Sequence, residues 1–428
     1  MDAITDAGPP AGAAATTAPF VPSARSAGAR PGPAGPAAPP AGAPPAPLLR
    51  PSVTELRLDS FGPHRRAVLP LGAVTLLAGP SGSGKSRALA GFEALARLGS
   101  GADLREAFPD PRGCVPERAL PDAQGRRGFR IGCTVDGPAG PVRLDLAVQA
   151  EPGLRIVGER LTADGQILLT TALRDPGRHC VQAAWLTGGT TGVTRAPLPD
   201  DRLGTALLPL RVAGSTPAQV QVLAAAEQVV VALRSVFPCD PSPALMREPV
   251  ELGAGRLLRG CGNLADVLHR TRHECATRYG LLVEAARAGC AGPVRDLAAR
   301  ALPDGRLTAE LVRAVGPATG PGAGPPSTPL ARLGSGELRY LALALVLLTG
   351  PGVLAVDPAA EVPAARQALT VLADGFDHRM DRRQVAELLR LALMCGGRGH
   401  VRLAAEVGEG TARLARELPG VAVVDLTP

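Results

Sequence analysis

The fold is decided by the stretch Ala73-Val-Thr-Leu-Leu-Ala78, which runs directly into Gly79-Pro80-Ser81-Gly82-Ser83-Gly84-Lys85-Ser86. The first six residues form a largely apolar run, which is typical of a buried strand. The next eight match the spacing Gly-x-x-x-x-Gly-Lys-Ser, in which glycines allow backbone N–H groups to cradle phosphate oxygens. From Lys85 to Leu98, apolar side chains recur every three to four residues, which indicates a helix. The order of strand, loop and helix predicts an α/β fold built around a phosphate-binding loop.

This glycine loop assigns a chemical task to most of its residues. We expect Lys85 to contact the β- and γ-phosphates and to act in catalysis, and the Ser86 hydroxyl to ligate Mg²⁺. The helix that follows adds the positive end of its dipole to the same place. The candidate nucleotide-binding residues of the loop are Gly79, Pro80, Ser81, Gly82, Ser83, Gly84, Lys85, Ser86 and Arg87.

Lys85 is the only lysine in 428 residues, although Lys and Arg together number 46. The excess of Arg, Ala, Gly and Pro is typical of strong GC pressure on codons, which makes the one lysine in this position informative. GTP-binding proteins need a second lysine to recognise guanine, and protein kinases need a strand lysine apart from any phosphate-binding loop. Schiff-base chemistry would need Lys85 itself. The lysine count therefore argues against all three classes.

A second group of motifs lies about 250 residues further on. Leu333-Gly334-Ser335-Gly336-Glu337 precedes an apolar helical stretch, which is followed by Val353-Leu-Ala-Val356 and then Asp357. Four apolar residues that end in an aspartate are typical of a strand whose carboxylate holds the water shell of Mg²⁺. We therefore take Asp357 as a candidate catalytic residue and, together with Ser86, as a candidate metal ligand.

The sequence resembles the AAA/ABC-type P-loop ATPases of the RecF and SMC-like group, which includes actinobacterial ATP-binding proteins. The resemblance is carried by the glycine loop, the segment Gly334–Leu345 and Asp357. The resemblance covers residues 51–100 and 330–428. It implies an ABC-ATPase fold that binds ATP and Mg²⁺ and forms a homodimer across the nucleotide. In such a dimer Ser335 and Gly336 would close over the nucleotide held by the other copy.

Two departures from the family pattern affect hydrolysis. The signature serine is usually second in its motif, whereas here Gly334 is second and Ser335 is third. The family places a catalytic glutamate after the strand aspartate, whereas this chain has Pro358, which cannot accept a proton. Glu361 is the candidate catalytic replacement. Glu406 stands where the family carries its switch histidine.

The pattern along the chain predicts an antiparallel β subdomain appended to the nucleotide core, followed by a helical insertion. Helices are expected from Pro217 to Val236, after a Ser215-Thr216 cap, from Asn263 to Ala288, and from Pro293 to Leu302. The predicted organisation is a disordered Pro/Ala-rich tail at 1–50, the P-loop and β subdomain at 51–175, a mainly helical insertion at 176–315, a flexible linker at 316–329, and the signature half at 330–428.

These features predict an ATP-binding protein that hydrolyses Mg·ATP slowly and dimerises with nucleotide. Two alternatives remain open: a non-hydrolysing ATP switch that regulates a partner protein, and a DNA-associated maintenance ATPase. The net charge of +7 is spread along the chain and leaves nucleic-acid binding undecided. Eight scattered cysteines without a C-x-x-C pair, and an amino terminus that lacks a signal-peptide pattern, predict a cytoplasmic protein with no membrane contact.

Overall fold

The computed structural model describes residues 49–189, 192–253, 255–314, 326–350, 353–354 and 367–427. The predicted tail therefore lies almost entirely outside the described residues. The elements of the first part are β1 (Ser52–Asp59), β2 (Ala67–Pro70), β3 (Val74–Ala78), α1 (Lys85–Gly99), α2 (Leu104–Ala107), β4 (Arg127–Asp136), β5 (Val142–Glu151), β6 (Arg155–Ala163), β7 (Gln166–Ala172), β8 (Cys180–Leu186) and β9 (Val193–Pro199).

The second part holds most of the helices. Its elements are α3 (Gly204–Leu207), α4 (Pro217–Arg234), β10 (Val236–Cys239), α5 (Pro243–Met246), α6 (Leu264–Glu274), α7 (Ala276–Gly289), β11 (Val294–Ala301), β12 (Leu307–Arg313), β13 (Ser327–Pro329), α8 (Ser335–Leu348), β14 (Leu369–Ala373), α9 (Arg382–Gly397), β15 (Val401–Glu406), α10 (Glu409–Arg416) and β16 (Val421–Asp425). None of these helices combines the length and apolar character needed to cross a bilayer.

The centre of the fold is a five-stranded sheet in the order β10-β14-β15-β3-β16. Every pairing in it is parallel. All five residues of β3 and all five of β14 are buried, as expected for parallel strands covered on both faces. The carboxyl ends of the strands meet at one edge, which is where ligands bind in open α/β sheets. The glycine loop leaves β3 at this edge, so the predicted α/β core is confirmed.

The predicted β subdomain is an eight-stranded antiparallel sheet in the order β2-β1-β4-β5-β6-β7-β8-β9. Its inner face shares a hydrophobic core with α1 and α4. Phe61, Phe108 and Phe129 meet edge to face within this core, with ring centroids 5.0 to 6.5 Å apart. The sheet therefore packs onto the helix that begins at the glycine loop.

Two of the three predicted helices need correction. Helix α4 is confirmed, with the Thr216 hydroxyl accepting from the Gln219 N–H at 3.1 Å and Pro217 in the first turn. The second is broken into α6 and α7 at Cys275, whose φ of −150° and ψ of 87° are not helical. The third is wrong: residues Val294–Ala301 form β11, which pairs with β12. The i, i+3 spacing of Val294 and Leu297 favours a helix. In the strand both side chains are buried, and the register is shifted between Val294 and Asp296.

The boundaries of the predicted helical insertion also change. Strands β8 and β9 lie within 176–315 but extend the eight-stranded sheet, and β10 forms an edge of the central sheet. Strands β8, β9 and β10 of this stretch therefore belong to the two larger sheets rather than to a helical insertion. At the end of the predicted linker, Ser327–Pro329 forms β13 and pairs with β12. Linker residues 316–325 lie outside the described residues.

Candidate functional site

The glycine loop turns sharply between β3 and α1 with the help of three glycines of positive φ. The φ angles are 140° at Gly79, 86° at Gly82 and 90° at Gly84. A Cβ at Gly79 would lie 2.3 Å from the Leu426 carbonyl oxygen, and one at Gly84 would lie 2.6 Å from Pro63 Cγ. Backbone conformation and close packing both require glycine at these two positions.

The interior of this loop fits a phosphate group. A Cβ built on Gly82 would meet nothing within 4 Å, so the loop is open there. The Ser83 hydroxyl is buried without a hydrogen-bond partner. Helix α1 begins at Lys85 without a side-chain cap, which leaves N–H groups of its first turn for an anion. A buried orphaned hydroxyl, free amides and an open loop together form a cradle for anionic oxygens.

Lys85 and Arg87 point to different places. The Lys85 ammonium donates to the carbonyl oxygens of Gly79 at 2.9 Å and Pro80 at 3.2 Å, so it lies over the loop. Arg87 instead packs on the turn between β1 and β2, because a Cβ at Gly62 would lie 2.7 Å from Arg87 Cγ. The structure therefore brings Lys85, but not the Arg87 side chain, to the loop carbonyls.

Ser86 meets two carboxylates at the carboxyl edge of the central sheet. Its hydroxyl donates to Glu406 Oε2 at 2.6 Å, at the end of β15. Asp374 follows β14 directly and interacts with both Ser86 and Glu406. Burial, reinforced by the negative charge of Glu406, raises the pKa of Asp374 to about 6, against a smaller opposing effect of the Ser86 hydrogen bond. This cluster offers three oxygen-bearing side chains beside the phosphate cradle.

Asp374 is the residue that sequence reasoning missed. Leu369-Thr-Val-Leu-Ala373 is an apolar run that ends in an aspartate, the same signal that led to Asp357. In the described part of the Val353–Val356 run, Leu354 forms only an isolated bridge with Leu257, outside the central sheet. Asp357 and Glu361 lie outside the described residues, so their roles stay predictions. On the side of β15 away from β3, the neighbouring strand is the run that precedes Asp374.

The signature residues lie at the amino end of α8. The Arg247 guanidinium donates to the Leu333 carbonyl oxygen at 3.1 Å and contacts the Ser335 hydroxyl at 3.4 Å. A Cβ at Gly336 would lie 2.1 Å from the Arg379 carbonyl oxygen, so α8 packs here on backbone of its own chain. Ser335 and Gly336 are thus held by residues of the same chain, and their predicted contact with a second copy stays a prediction.

The donor set fits magnesium rather than a transition metal. Within the described part of the chain, no group of three or more His, Cys, Asp and Glu side chains could hold a metal ion alone. Mg²⁺ commonly binds one or two carboxylates and completes its shell with phosphate oxygens and water. Ser86, Asp374 and Glu406 provide hard oxygen ligands of this kind beside the cradle. The residues therefore fit an ion that arrives with a nucleotide.

No family model and no curated protein matches this chain. Its fold is similar in outline to three solved structures, all heads of SMC proteins. They are the SMC head bound to the C-winged helix domain of ScpA (12% identity, TM-score 0.44, 83% of this chain and 90% of that one), the SMC head domain from Thermotoga maritima (12%, 0.40, 84% and 90%), and the Smc head with an extended coiled coil bound to the C-terminal domain of ScpA derived from Pyrococcus furiosus (10%, 0.42, 84% and 90%).

Proposed function

We propose that the protein binds Mg·ATP at the glycine loop, with Lys85 on the phosphates and Ser86 and Asp374 as the side chains nearest the metal. The observation that carries this proposal is the meeting of Ser86, Asp374 and Glu406 beside a loop whose buried Ser83 hydroxyl has no partner. Asp374 takes the role that the sequence suggested for Asp357, because its strand belongs to the sheet that carries the loop.

Ligand binding requires two local exchanges. The Lys85 ammonium leaves the Gly79 and Pro80 carbonyl oxygens for phosphate oxygens, and the Ser86 hydroxyl leaves Glu406 to turn its oxygen toward the metal. When bound, Mg²⁺ neutralises phosphate charge. The first exchange replaces neutral carbonyl partners of Lys85 by charged phosphate oxygens, and the second replaces the carboxylate partner of Ser86 by the metal ion.

We further propose that hydrolysis is slow and that the nucleotide promotes homodimerisation through Ser335 and Gly336. Asp374 is followed by Gly375, and Asp357 by Pro358, so neither aspartate is followed by a side chain that could take a proton from water. Glu406 is the carboxylate in contact with Ser86 and is the candidate group to orient the attacking water. Glu361 remains the alternative.

The test is to measure ATP affinity and turnover of the wild type, of Lys85→Ala and of Arg126→Ala on matched samples. Arg126 is a suitable control because it forms an exposed ion pair with Asp122. We expect affinity to fall by about 10²-fold or more in Lys85→Ala and to stay unchanged in Arg126→Ala, since only Lys85 contacts phosphate. Tight binding without turnover would favour the non-hydrolysing switch. If ATP binding does not depend on Lys85, both the slow ATPase and the non-hydrolysing ATP switch are contradicted.

A second candidate function, contact with DNA, is favoured by the outer face of the eight-stranded sheet. Arg66, Arg130 and Arg160 line a groove of about 540 Å³ there, and none of their side chains forms an ion pair with a described residue. Unpaired arginines on one face suit the phosphate backbone of a nucleic acid. Arg57 and Arg143, in the same groove, are instead paired with Asp145.

For this candidate, we expect Arg130→Ala combined with Arg160→Ala to weaken binding of a short DNA duplex and to reduce the dependence of affinity on salt by about two units of slope. The control is Arg126→Ala, which lies outside the groove. Equal DNA affinity and equal salt slopes in all three proteins would exclude this surface.

A further inference from the structure

Helix α8 touches the turn that follows β14 at two separate points. Near its start, Gly336 packs so closely on the Arg379 carbonyl oxygen that a Cβ would lie only 2.1 Å from it. One turn further along, the Arg339 guanidinium reaches the carbonyl oxygens of Asp374 and Gly375. The helix that carries the signature residues therefore contacts both ends of the segment 374–379.

Arg339 makes the more informative of the two contacts. Its side chain is only 8% exposed. One terminal nitrogen donates to the Pro241 carbonyl oxygen at 2.7 Å and lies 3.5 Å from Asp240 Oδ1, at the end of β10. The other donates to the carbonyl oxygens of Gly375 at 2.9 Å and Asp374 at 3.4 Å, at the end of β14. One buried cation thus joins the carboxyl ends of two neighbouring strands.

The turn that Arg339 holds is fixed on its other side by the end of β15. The Phe376 N–H donates to the Glu406 carbonyl oxygen at 3.2 Å. The Asp377 carboxylate accepts from the Gly408 N–H at 3.0 Å. Gly375 has a φ of +58°, which lets the chain reverse directly after Asp374. The position of Asp374 is therefore set by Arg339 on one side and by the Glu406–Gly408 segment on the other.

The chemistry of Arg339 suits positioning more than general packing. Burying a guanidinium is costly unless its donors are satisfied, and here the Nε–H has no partner while the terminal nitrogens are aimed at strand ends. The planar fork of arginine can hold two carbonyl groups in a fixed relative geometry, which the single ammonium of lysine cannot. Its nearest carboxylate, Asp240, is 61% exposed, so a tight buried ion pair does not explain the residue.

We propose that Arg339 is a positioning residue that holds Asp374 in place beside Ser86 and couples its position to helix α8. The proposal rests on the proposed function, because Asp374 is taken there as a metal ligand. Residues that hold a metal ligand from behind typically change metal affinity by 10- to 100-fold when they are removed. The same link would transmit a shift of the α8 amino end, where Ser335 and Gly336 lie, to the metal side of the nucleotide.

The experiment measures the ratio of ATP affinity with Mg²⁺ to ATP affinity without it, and compares this ratio between Arg339→Met and Arg402→Met. Arg402 is a matched control, since its guanidinium also donates to two carbonyl groups, those of Val53 and Leu71. It is the second residue of β15 and so lies at the opposite end of that strand from Glu406. We expect the ratio to fall at least about 10-fold in Arg339→Met and to stay unchanged in Arg402→Met. Thermal unfolding of both variants controls for general loss of stability.

Arg339→Lys keeps the charge but not the fork, so we expect a ratio between those of the wild type and Arg339→Met; it also serves as the test variant if Arg339→Met does not fold. A wild-type ratio in whichever Arg339 variant folds, or an equal loss in Arg402→Met, would overturn the proposal. Asp374→Asn separates the two levels of inference. If it removes the Mg²⁺ dependence and the Arg339 variants do not, only the positioning role fails; if it leaves the dependence intact, the metal role of Asp374 fails first.

Discussion

The Ser86 hydroxyl donates a 2.6 Å hydrogen bond to Oε2 of Glu406, a residue 320 positions later in the chain. The contact joins the first turn of α1 to the end of β15, the strand that pairs with β3. It places a carboxylate beside the hydroxyl that would ligate Mg²⁺, at the position where the resemblance to ABC-type ATPases predicts a histidine. The central question about this site is therefore what an acidic group does there.

Replacing Glu406 by Gln tests whether it orients water. The amide keeps the size of the side chain but is a poor proton acceptor, so we expect turnover to fall by on the order of 10²-fold. ATP affinity should change much less, because Lys85 and the loop amides are intact. Glu409→Gln, in an exposed ion pair with Arg416, is the matched control. Unchanged turnover in Glu406→Gln would leave Glu361 as the remaining candidate.

Comparing Asp374→Asn with Asp357→Asn decides which aspartate serves the metal. Asp374 lies beside Ser86 and Glu406, so its loss should weaken Mg²⁺-dependent ATP binding by about 10- to 100-fold. We expect Asp357→Asn to have less than a threefold effect. The measurement is a titration of ATP at several Mg²⁺ concentrations for both variants. The reverse order of effects would restore the role that the sequence suggested for Asp357.

Asp357 and Asp374 show which parts of the site can be predicted from the sequence and which cannot. The glycine loop, β3 and α1 follow from local residue patterns, because glycine spacing and apolar periodicity are properties of neighbouring residues. The choice between Asp357 and Asp374 does not, since both follow an apolar run of similar length. Only pairing with β15 distinguishes them, and that pairing joins residues far apart in the chain.

Long-range pairing also explains the misplaced boundaries. Strand β10 is four residues long and contains Pro238, so no sequence pattern marks it as part of a sheet, yet it pairs with β14. Strand β11 is rich in alanine, which favours a helix, and is held instead by β12. The end of β15, by contrast, follows from the apolar pattern of the strand, which places Glu406 at its carboxyl end.

Glu159 should make stability depend on pH. It is buried beneath the first turn of α3 and accepts from the Gly204 and Thr205 N–H groups at 2.7 Å each. Burial raises the pKa of this carboxyl above its ordinary value, against the opposing effect of those hydrogen bonds. The folded protein then binds more protons than the unfolded chain, so this contribution to the free energy of unfolding falls as pH rises from about 4.5 through the raised value.

We expect Glu159→Gln to remove this part of the pH dependence, because glutamine does not titrate. The measurement is urea unfolding of both proteins at a series of pH values between about 4 and 7, with the difference between them plotted against pH. The control is Thr171→Val. It removes a hydroxyl that does not titrate but accepts a hydrogen bond from the Glu159 backbone N–H, so it tests for damage to the same place in the fold. Parallel pH curves for the wild type and Glu159→Gln would show that the carboxyl has an ordinary pKa in the folded protein.

Gly84→Ala and Gly82→Ala separate backbone strain from close packing in the glycine loop. Both residues have a φ near 90°, so each alanine carries a strain cost of about 1 kcal/mol. At Gly82 the added methyl group meets nothing within 4 Å, whereas at Gly84 it lies 2.6 Å from Pro63 Cγ and 2.7 Å from His64 Nε2. The extra clash should bring the total loss in the free energy of unfolding of Gly84→Ala to roughly 3 kcal/mol.

The two variants should also differ in what they do to the ligand. The space beside Gly82 in the glycine loop is open, so we expect a methyl group there to weaken ATP binding by about 10-fold or more while the free energy of unfolding falls by only about 1 kcal/mol. Gly84→Ala should instead lower stability first, because the methyl group pushes on the turn between β1 and β2 and strains the 3.0 Å contact between His64 Nε2 and the Gly84 carbonyl oxygen. Chemical unfolding and ATP titration of both proteins give the comparison. If Gly82→Ala bound ATP as tightly as the wild type, the phosphates would not contact the loop at Gly82.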